Sequence, residues 1–268
     1  MISCPILQDM GTYTIQPVPH VQPHVQPHDQ PHCRYTGTAN NTNVREIYVA
    51  DIIAAGFGGK AWKDGIWKAA ADLELSFFHP LSSTTHPRTY CRVTYDRDFL
   101  YWSFIVKDRW VRAHYMEYQD PVCQDSCVEF FVQPVQEAGY FNFEVNCIGT
   151  LQLLYIEDSA RTQTGFMKAT PVAADNAAGI KIWTSITERP YLPENQEPMQ
   201  WRIDAAVPFS LFSTYIPGFI PPRPRTVWRG NFYKCADDSS HPHWASWAPI
   251  GNKLNFHVPE CFGILEFA

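Results

Sequence analysis

The sequence predicts an all-β protein built as an antiparallel β-sandwich. Apolar residues alternate with other residues over 127–133 and again over 140–147, which is the two-residue period of a strand with one buried face. Residues 90–107 repeat this alternation on both sides of a short turn at 96–98. The 268 residues also include 17 Phe, 13 Tyr and 9 Trp, and aromatic residues are enriched in strands.

The strands at 127–133 and 140–147 are expected to be neighbours, because only a short connection with Pro134 and Gly139 separates them. One face of the pair is apolar and consists of Val128, Phe130, Val132, Phe141, Phe143, Val145 and Cys147. The opposite face offers a phenol, two amides and two carboxylates, from Glu129, Tyr140, Asn142, Glu144 and Asn146. Such a face suits a ligand rich in hydroxyl groups. A solvated outer face of the sandwich is the alternative that the pattern leaves open.

Later strands extend this polar set. Trp183 falls on the polar side of the strand at 180–187, and so large an apolar side chain in that position favours stacking on a ligand; a buried edge position is the alternative. The strands at 200–208 and 227–235 add Arg202, Asp204, Arg229, Asn231 and Tyr233. If all these strands share one sheet, the protein has a single polar face edged by aromatic rings. Ion pairs between Arg229 and the two glutamates are the alternative use of these charges.

Several segments resemble a known family. DPVCQDSCVEFFVQP, followed by YFNFEVNCIGT, resembles a pair of motifs of the carbohydrate-binding module family 9-like domains. Four further segments match that family in the same order, at 96–113, 200–212, 227–235 and 246–267. The resemblance covers residues 45–268 and is closest to stand-alone bacterial members.

The resemblance implies a jelly-roll or immunoglobulin-like sandwich with short helical turns and long loops. It implies non-catalytic binding of a mono- or oligosaccharide, with the end of a glycan chain as one form of the ligand. A separately encoded carbohydrate-active enzyme is an expected partner. The resemblance also gives Trp67 a structural role at one end of the sandwich.

Six residues are the expected sugar contacts. Aromatic faces can stack on the C–H faces of a sugar ring, while planar guanidinium, amide and carboxylate groups can bind paired hydroxyls. Trp110 and Arg112 lie in the loop at 108–126, and binding groups tend to sit on loops of a rigid scaffold. The stacking candidates are Trp110 and Trp183, and the hydroxyl-binding candidates are Arg112, Glu129, Asn146 and Arg161.

The loop at 108–126 also carries Asp120 and Asp125, the candidate ligands of a structural calcium ion. The family resemblance implies that acidic residues near this loop can hold calcium, whose ligands are carboxylate and carbonyl oxygens. The spacing of the two aspartates is not that of a dense calcium loop. No other cofactor is expected.

Two other functions are carried as alternatives. A glycoside hydrolase would use paired carboxylates, here Glu129 and Glu144, as acid and base. A haem or redox sandwich module would use Met and His ligands, and the chain offers Met116, Met167 and Met199 without a spacing that points to haem.

The chain divides into two predicted regions. Residues 1–42 form a low-complexity extension, in which a Pro-His step recurs every four residues to give His20, His24, His28 and His32. This stretch cannot bury a core and is expected to be an extended tether, with transition-metal binding by the histidines as the alternative. Residues 43–268 form the sandwich domain.

Composition excludes some partners. The formal net charge is -6, with 21 basic and 27 acidic residues and no basic patch, so nucleic acid is not an expected partner. No apolar run is long enough to span a membrane, and the first residues do not read as a signal peptide. The location therefore stays open: cytoplasmic for the sequence as given, or extracytoplasmic if an export signal lies outside it.

Eight cysteines do not decide the redox compartment. Cys127 and Cys147 lie on predicted neighbouring strands and Cys235 lies on a later strand, so buried thiols are favoured. A disulfide between Cys123 and Cys127 is the alternative, and a zinc site is weakly supported because no second closely spaced pair follows.

Overall fold

The computed structural model describes residues 11–18 and 65–268. The Pro-His repeat, with His20, His24, His28 and His32, lies outside the described residues. Within them, sixteen strands are present. They are β1 Thr12–Pro17, β2 Leu73–Glu74, β3 Phe77–Phe78, β4 Arg88–Tyr95, β5 Phe99–Asp108, β6 Val111–Ala113, β7 Cys127–Gln133, β8 Tyr140–Asn146, β9 Leu151–Arg161, β10 Phe166–Pro171, β11 Lys181–Thr184, β12 Tyr191–Asn195, β13 Met199–Pro208, β14 Val227–Cys235, β15 Trp244–Ser246 and β16 Gly263–Phe267.

Helical structure is confined to short pieces in the described part of the chain. The α-helices are α1, Ala174–Ala177, and α2, Phe209–Tyr215. Turns of 3-10 helix occupy Gly65–Trp67, Val122–Gln124 and Pro259–Cys261. None of these helices is long and apolar enough to cross a membrane. The predicted all-β class with short helical turns is confirmed, including the helical turn that begins after Pro208.

All strands except β6 and β12, which pair with each other, form two sheets that share one strand. In the first, which we call sheet I, the order is β10-β9-β8-β7-β14-β16-β1, with β15 paired to β14. In the second, sheet II, the order is β1-β4-β5-β13-β11. Strand β1 pairs with β16 in parallel over Thr12–Ile15 and then with β4 in parallel over Gln16–Pro17. Residues 12–17 therefore belong to the sandwich, which corrects the expectation that all of 1–42 is an extension.

The core between the two sheets follows the predicted alternation. Val128, Phe130 and Val132 of β7 lie in the main core together with Trp102 of β5, and all four are fully buried. Aromatic rings join the sheets: Phe232 of β14 stacks on Phe130 at 4.5 Å and meets Phe104 of β5 edge-on at 6.2 Å. Dense aromatic burial of this kind is the main stabilising term for a sandwich of this size.

Buried side chains cover the outer face of sheet II, which points away from the main core. Trp67 is fully buried against Tyr101 and Ala206, and its carbonyl oxygen accepts a hydrogen bond from Arg92 Nη1 at 2.9 Å. The predicted structural role of Trp67 is thus confirmed. Aromatic burial on both sides of the strands explains why the chain carries so many Trp, Tyr and Phe.

A buried ion pair joins the two sheets at one end. Lys234 Nζ of β14 lies 3.5 Å from Asp108 Oδ2 of β5, and both side chains are almost fully buried. Trp201 Nε1 donates to the same carboxylate oxygen at 3.1 Å, and Lys234 Nζ also lies 2.8 Å from His243 Nε2. Burial and the Lys234 charge hold the pKa of His243 well below its usual value, so the neutral imidazole can accept from the ammonium group.

We expect Lys234→Met to destabilise the protein by roughly 3–5 kcal/mol, because the Asp108 carboxylate would remain buried without its cation. The matched control is Lys168→Met, which removes the exposed Lys168–Glu157 pair and should leave the stability close to that of the wild type. Urea unfolding of the wild type and both variants measures the difference. Equal, small losses in the two variants would show that the buried pair is not an important tie between the sheets.

Candidate functional site

The polar face predicted on the 127–147 strand pair exists, but it is not solvated. Glu129 and Phe131 of β7 point away from the main core, as does Tyr233 of the neighbouring strand β14. The chain after β15 folds over this outer face of sheet I and packs Phe256 and Phe262 against it. The expected alternation is therefore right, while the alternative of an open outer face is wrong.

Two glutamates meet on this covered face. Glu129 and Glu144 are direct partners in the antiparallel register of β7 and β8, and their exposed fractions are only 2% and 5%. Directly opposite residues in such a ladder hold their side chains side by side. The strand register thus forces two carboxyl groups together out of water, and we call Glu129 and Glu144 the acid pair.

The hydrogen bonds of the acid pair are incomplete. The Cys235 thiol donates to Glu129 Oε1 at 3.0 Å, and the Asn142 amide donates to Glu144 Oε1 at 2.7 Å. Glu144 Oε2 is buried and has no hydrogen-bond partner in the part of the chain that the structure describes. A buried polar atom without a partner is costly, so an acceptor left open in this way indicates a place for a bound group.

Burial and mutual repulsion alter the protonation of the acid pair. Burial, followed by the neighbouring Glu144, raises the pKa of Glu129 well above its usual value. Burial raises the pKa of Glu144 to about 7, although the hydrogen bond from Asn142 opposes the rise. At neutral pH the pair therefore retains protons, and it can offer both O–H donors and oxygen acceptors to a ligand.

Half-buried aromatic residues border the acid pair. Tyr115, Trp244 and Phe256 pack around the buried Cys127 and Cys235. The Phe256 ring stacks on Tyr233, the residue opposite Glu129, at 4.1 Å and 11°. The Trp244 indole donates from Nε1 to Asp237 Oδ1 at 2.7 Å, which fixes the plane of the ring. We call Tyr115, Trp244 and Phe256 the aromatic rim.

Of the six predicted sugar contacts, Glu129 and Arg161 lie on this face. The Arg161 guanidinium lies 3.9 Å from the centre of the Phe166 ring, and the side chain is exposed. Its positive charge also lowers the pKa of Glu144. Glu144 belongs to the predicted polar face but is not one of the six expected sugar contacts.

Asn146 has a structural role. Its amide donates to the carbonyl of Tyr115 at 2.8 Å and to Asp125 Oδ2 at 3.0 Å, while its side-chain oxygen accepts from the Thr150 backbone at 2.9 Å. These bonds hold the turn after β8 against the loop before β7, and Gly149 in that turn has a positive φ of 86°. Because the amide is fully engaged and buried, Asn146 is not positioned as a ligand contact.

The two predicted calcium ligands are bonded to backbone N–H groups. Asp125 accepts from His114 N and Tyr115 N, at 2.9 and 3.0 Å, in addition to Asn146. Asp120 Oδ2 accepts from Met116 N and Glu117 N. Both aspartates thus organise the loop, and the calcium expectation gains no support from their surroundings.

Trp110 and Arg112 lie near the loop that follows β14. The Trp110 ring stacks on His241 at 4.1 Å, with the Arg109 guanidinium 4.9 Å from the ring centre. Arg112 Nη1 donates to the Asp238 carbonyl at 2.8 Å. Both side chains are therefore engaged with neighbouring loops and do not face the acid pair across an open surface.

Trp183 lies on the other sheet. Strand β11 pairs with β13, and β13 pairs with β5, so Trp183, Arg202 and Asp204 all belong to sheet II. Trp183 packs on the outer face of that sheet against Tyr101. The condition for a single polar face, that all these strands share one sheet, is therefore not met. Alternation shows which residues share a face of a strand but not which strands are paired.

Arg229 binds backbone groups of the segment that follows β15. Arg229 Nη2 donates to the carbonyl oxygens of Glu260 and Phe262, at 3.2 and 2.9 Å. These bonds tie β14 to the segment that covers the outer face of sheet I. Arg229 thus helps to hold this segment over the acid pair.

One group of potential metal ligands occurs among the described residues. Cys127, Glu129 and Cys235 are all buried and place one ligand atom each within 4.8 Å of one another. Cys123 and Cys127 are free thiols rather than the disulfide considered from their spacing. Cys127 lies directly opposite Cys235 in the β7–β14 register.

Comparison with known proteins gives a family match and similar solved structures. The model of carbohydrate-binding family 9 matches residues 75–267. A candidate carbohydrate-binding protein from Bacteroides uniformis ATCC 8492 has the same fold, with a TM-score of 0.68 and 22% identity, over 97% of this chain and 100% of that chain. A family 9 module from Caldicellulosiruptor kristjanssonii, solved with glucose, gives a TM-score of 0.50 and 18% identity over 76% of this chain and 87% of that chain. Among curated proteins, none matches the chain.

The family assignment decides between the functions considered from the sequence. Family 9 modules bind carbohydrate without cleaving it, so neither the hydrolase nor the haem alternative is retained. The match to residues 75–267 includes the acid pair and the aromatic rim. The chain belongs to carbohydrate-binding family 9 and is a non-catalytic carbohydrate-binding protein.

Proposed function

We propose that this protein holds its sugar at the acid pair, between the aromatic rim and the outer face of sheet I, where the sugar displaces part of the segment after β15 that covers this face. The observation that carries the proposal is Glu144 Oε2, a buried acceptor left without a partner in the described part of the chain. A sugar hydroxyl is a donor of suitable size for that oxygen, and it would restore the missing hydrogen bond.

The surroundings of the acid pair suit a polyhydroxylated ring. The acid pair can accept hydrogen bonds from sugar hydroxyls and can donate one through a retained proton, and the low water content of the site strengthens each bond. Trp244 and Phe256 supply apolar faces beside these acceptors. Small sugars need both kinds of contact, because their hydroxyls are polar while their C–H faces are apolar.

Glucose is the first ligand to test, either free or at the end of an oligosaccharide. The related Caldicellulosiruptor module is solved with glucose. Its likeness to this chain supports the fold, and the choice of sugar is our proposal. A separately encoded carbohydrate-active enzyme is the proposed partner, because a non-catalytic module serves to hold the substrate of such an enzyme.

The direct test is calorimetric titration of the full chain with glucose, other hexoses and short glucans. We expect saturable heat with one site per chain for at least one of these sugars. The absence of heat with every sugar in the panel would overturn the proposal.

For a sugar that binds, Glu144→Gln should weaken the affinity by about 10- to 100-fold, because a bond from a hydroxyl to a charged acceptor contributes roughly 1.5–3 kcal/mol. Glu157→Gln is the control, since Glu157 is an exposed acid on the same sheet, paired with Lys168. An affinity unchanged in Glu144→Gln would place the sugar elsewhere.

Variants of Trp244 and Trp183 distinguish a sugar site on the outer face of sheet I from a site on the outer face of sheet II. We expect Trp244→Ala to weaken sugar binding by about 3- to 10-fold through loss of stacking, and Trp183→Ala to leave it within about twofold. The same titrations measure both variants. The reverse result would locate the site at Trp183 on sheet II.

The acid pair also makes stability depend on pH. The folded-state pKa of Glu144, about 7, lies above the unfolded value of about 4.3, so the folded protein binds more protons between these values. Stability should therefore fall as the pH rises from 5 to 7, by on the order of 1–3 kcal/mol. In Glu144→Gln the free energy of unfolding should fall clearly less between pH 5 and 7. Urea unfolding at each pH measures this fall. Parallel curves for the wild type and the variant would contradict the raised pKa.

A further inference from the structure

Two thiols and one carboxylate converge beneath the aromatic rim. Cys127 and Cys235 are direct partners across β7 and β14, and Glu129 lies two residues beyond Cys127 on the same face. Cys235 Sγ lies 3.0 Å from Glu129 Oε1, and the three ligand atoms fall within 4.8 Å of one another. Adjacent strands of one sheet therefore bring these three donors together without any loop rearrangement.

The donor set suits a zinc ion. Zinc binds cysteine sulfur at about 2.3 Å and carboxylate oxygen at about 2.0–2.2 Å in a tetrahedral arrangement. Ligand atoms of such a tetrahedron lie roughly 3.5–3.8 Å apart. The three atoms already lie within 4.8 Å of one another, with Cys235 Sγ and Glu129 Oε1 at 3.0 Å, so small side-chain rotations would bring all three to these separations.

We propose that Cys127, Glu129 and Cys235 form a site for a thiophilic divalent cation, with Zn²⁺ as the expected ion and water in the fourth position. Binding forms two metal–thiolate bonds and one metal–carboxylate bond. The two thiol protons, and any proton on Glu129, leave to solvent. No oxidant or reductant takes part.

The neighbourhood of the three donors supports a closed site. Val122, Tyr115 and Trp244 pack around the two cysteines, and Cys123, which is only half-buried, lies on the solvent side with its carbonyl oxygen 3.5 Å from Cys235 Sγ. A shell of apolar residues around the ligands limits solvent access and strengthens metal–thiolate bonds.

Cobalt is the spectroscopic probe for the test. The full chain, reduced and stripped with a chelator, is titrated with Co²⁺ and then with Zn²⁺, without sugar. We expect one Co²⁺ per chain, with a thiolate-to-cobalt charge-transfer band and tetrahedral visible bands that zinc abolishes. Cys127→Ser and Cys235→Ser should lose the charge-transfer band. Cys91→Ser should retain it, because Cys91 is a buried thiol of β4 in the main core of the sandwich.

A measurement on the wild-type protein tests the proposal even if the cysteine variants do not fold. X-ray absorption of the zinc-loaded protein should show two sulfur neighbours at about 2.3 Å with oxygen completing the shell. A first shell without sulfur, or a charge-transfer band that persists in Cys235→Ser, would overturn the proposal. Zinc should also raise the thermal midpoint of the wild type but not that of Cys235→Ser.

This test is independent of sugar binding. It is carried out without carbohydrate. Glu129 belongs to both proposed sites, but the spectroscopic readout depends on two cysteines that the proposed sugar contacts do not include. Failure of the metal titration leaves the calorimetric test of the sugar site intact, and the converse also holds.

Discussion

The direct pairing of Glu129 with Glu144 across β7 and β8 is the constraint on which the site depends. Two carboxyl groups in facing positions repel each other when ionised, and water normally separates and screens them. Here the segment after β15 covers the strands, so neither group can escape to solvent. The pair must then hold protons, accept hydrogen bonds or bind a positive ion. Its partners in the described part of the chain satisfy only part of that requirement, and an external ligand can supply the rest.

The sandwich can hold such a pair because the rest of the structure is tightly fixed. Aromatic rings from both sheets fill the core, and the Lys234–Asp108 ion pair joins β14 of sheet I to β5 of sheet II. Since Lys234 precedes Cys235 on the same strand, the core-facing and outward-facing residues of β14 serve different purposes. One set ties the two sheets together, whereas the other faces the acid pair. A rigid strand therefore presents its outward groups with little freedom to adapt, which lowers the entropic cost of binding a ligand.

Much of the fold could be predicted from the sequence, whereas less of the site could. Two-residue alternation correctly separated Val128 and Phe130 from Glu129, because the period of a strand is a local property. It could not show that β11 belongs to sheet II, which moved Trp183 away from Glu129, since strand pairing depends on contacts distant in sequence. Nor could it show that the outward face would be covered. Phe256 carried no local signal for its position over Tyr233, and only the tertiary structure brings the two rings together.

The most direct measurement of the central claim is carbon-13 NMR of the glutamate carboxyl groups as a function of pH, with and without glucose. Variants with Gln at position 129 or 144 assign the two resonances. We expect both carboxyl groups to titrate well above the usual value of about 4.3, Glu144 near pH 7. Glucose should lower the pKa of Glu144, because a hydroxyl that donates to Oε2 favours the charged form. Two carboxyl groups that titrate near 4.3 and do not respond to any sugar in the panel would contradict both the buried pair and its role in binding.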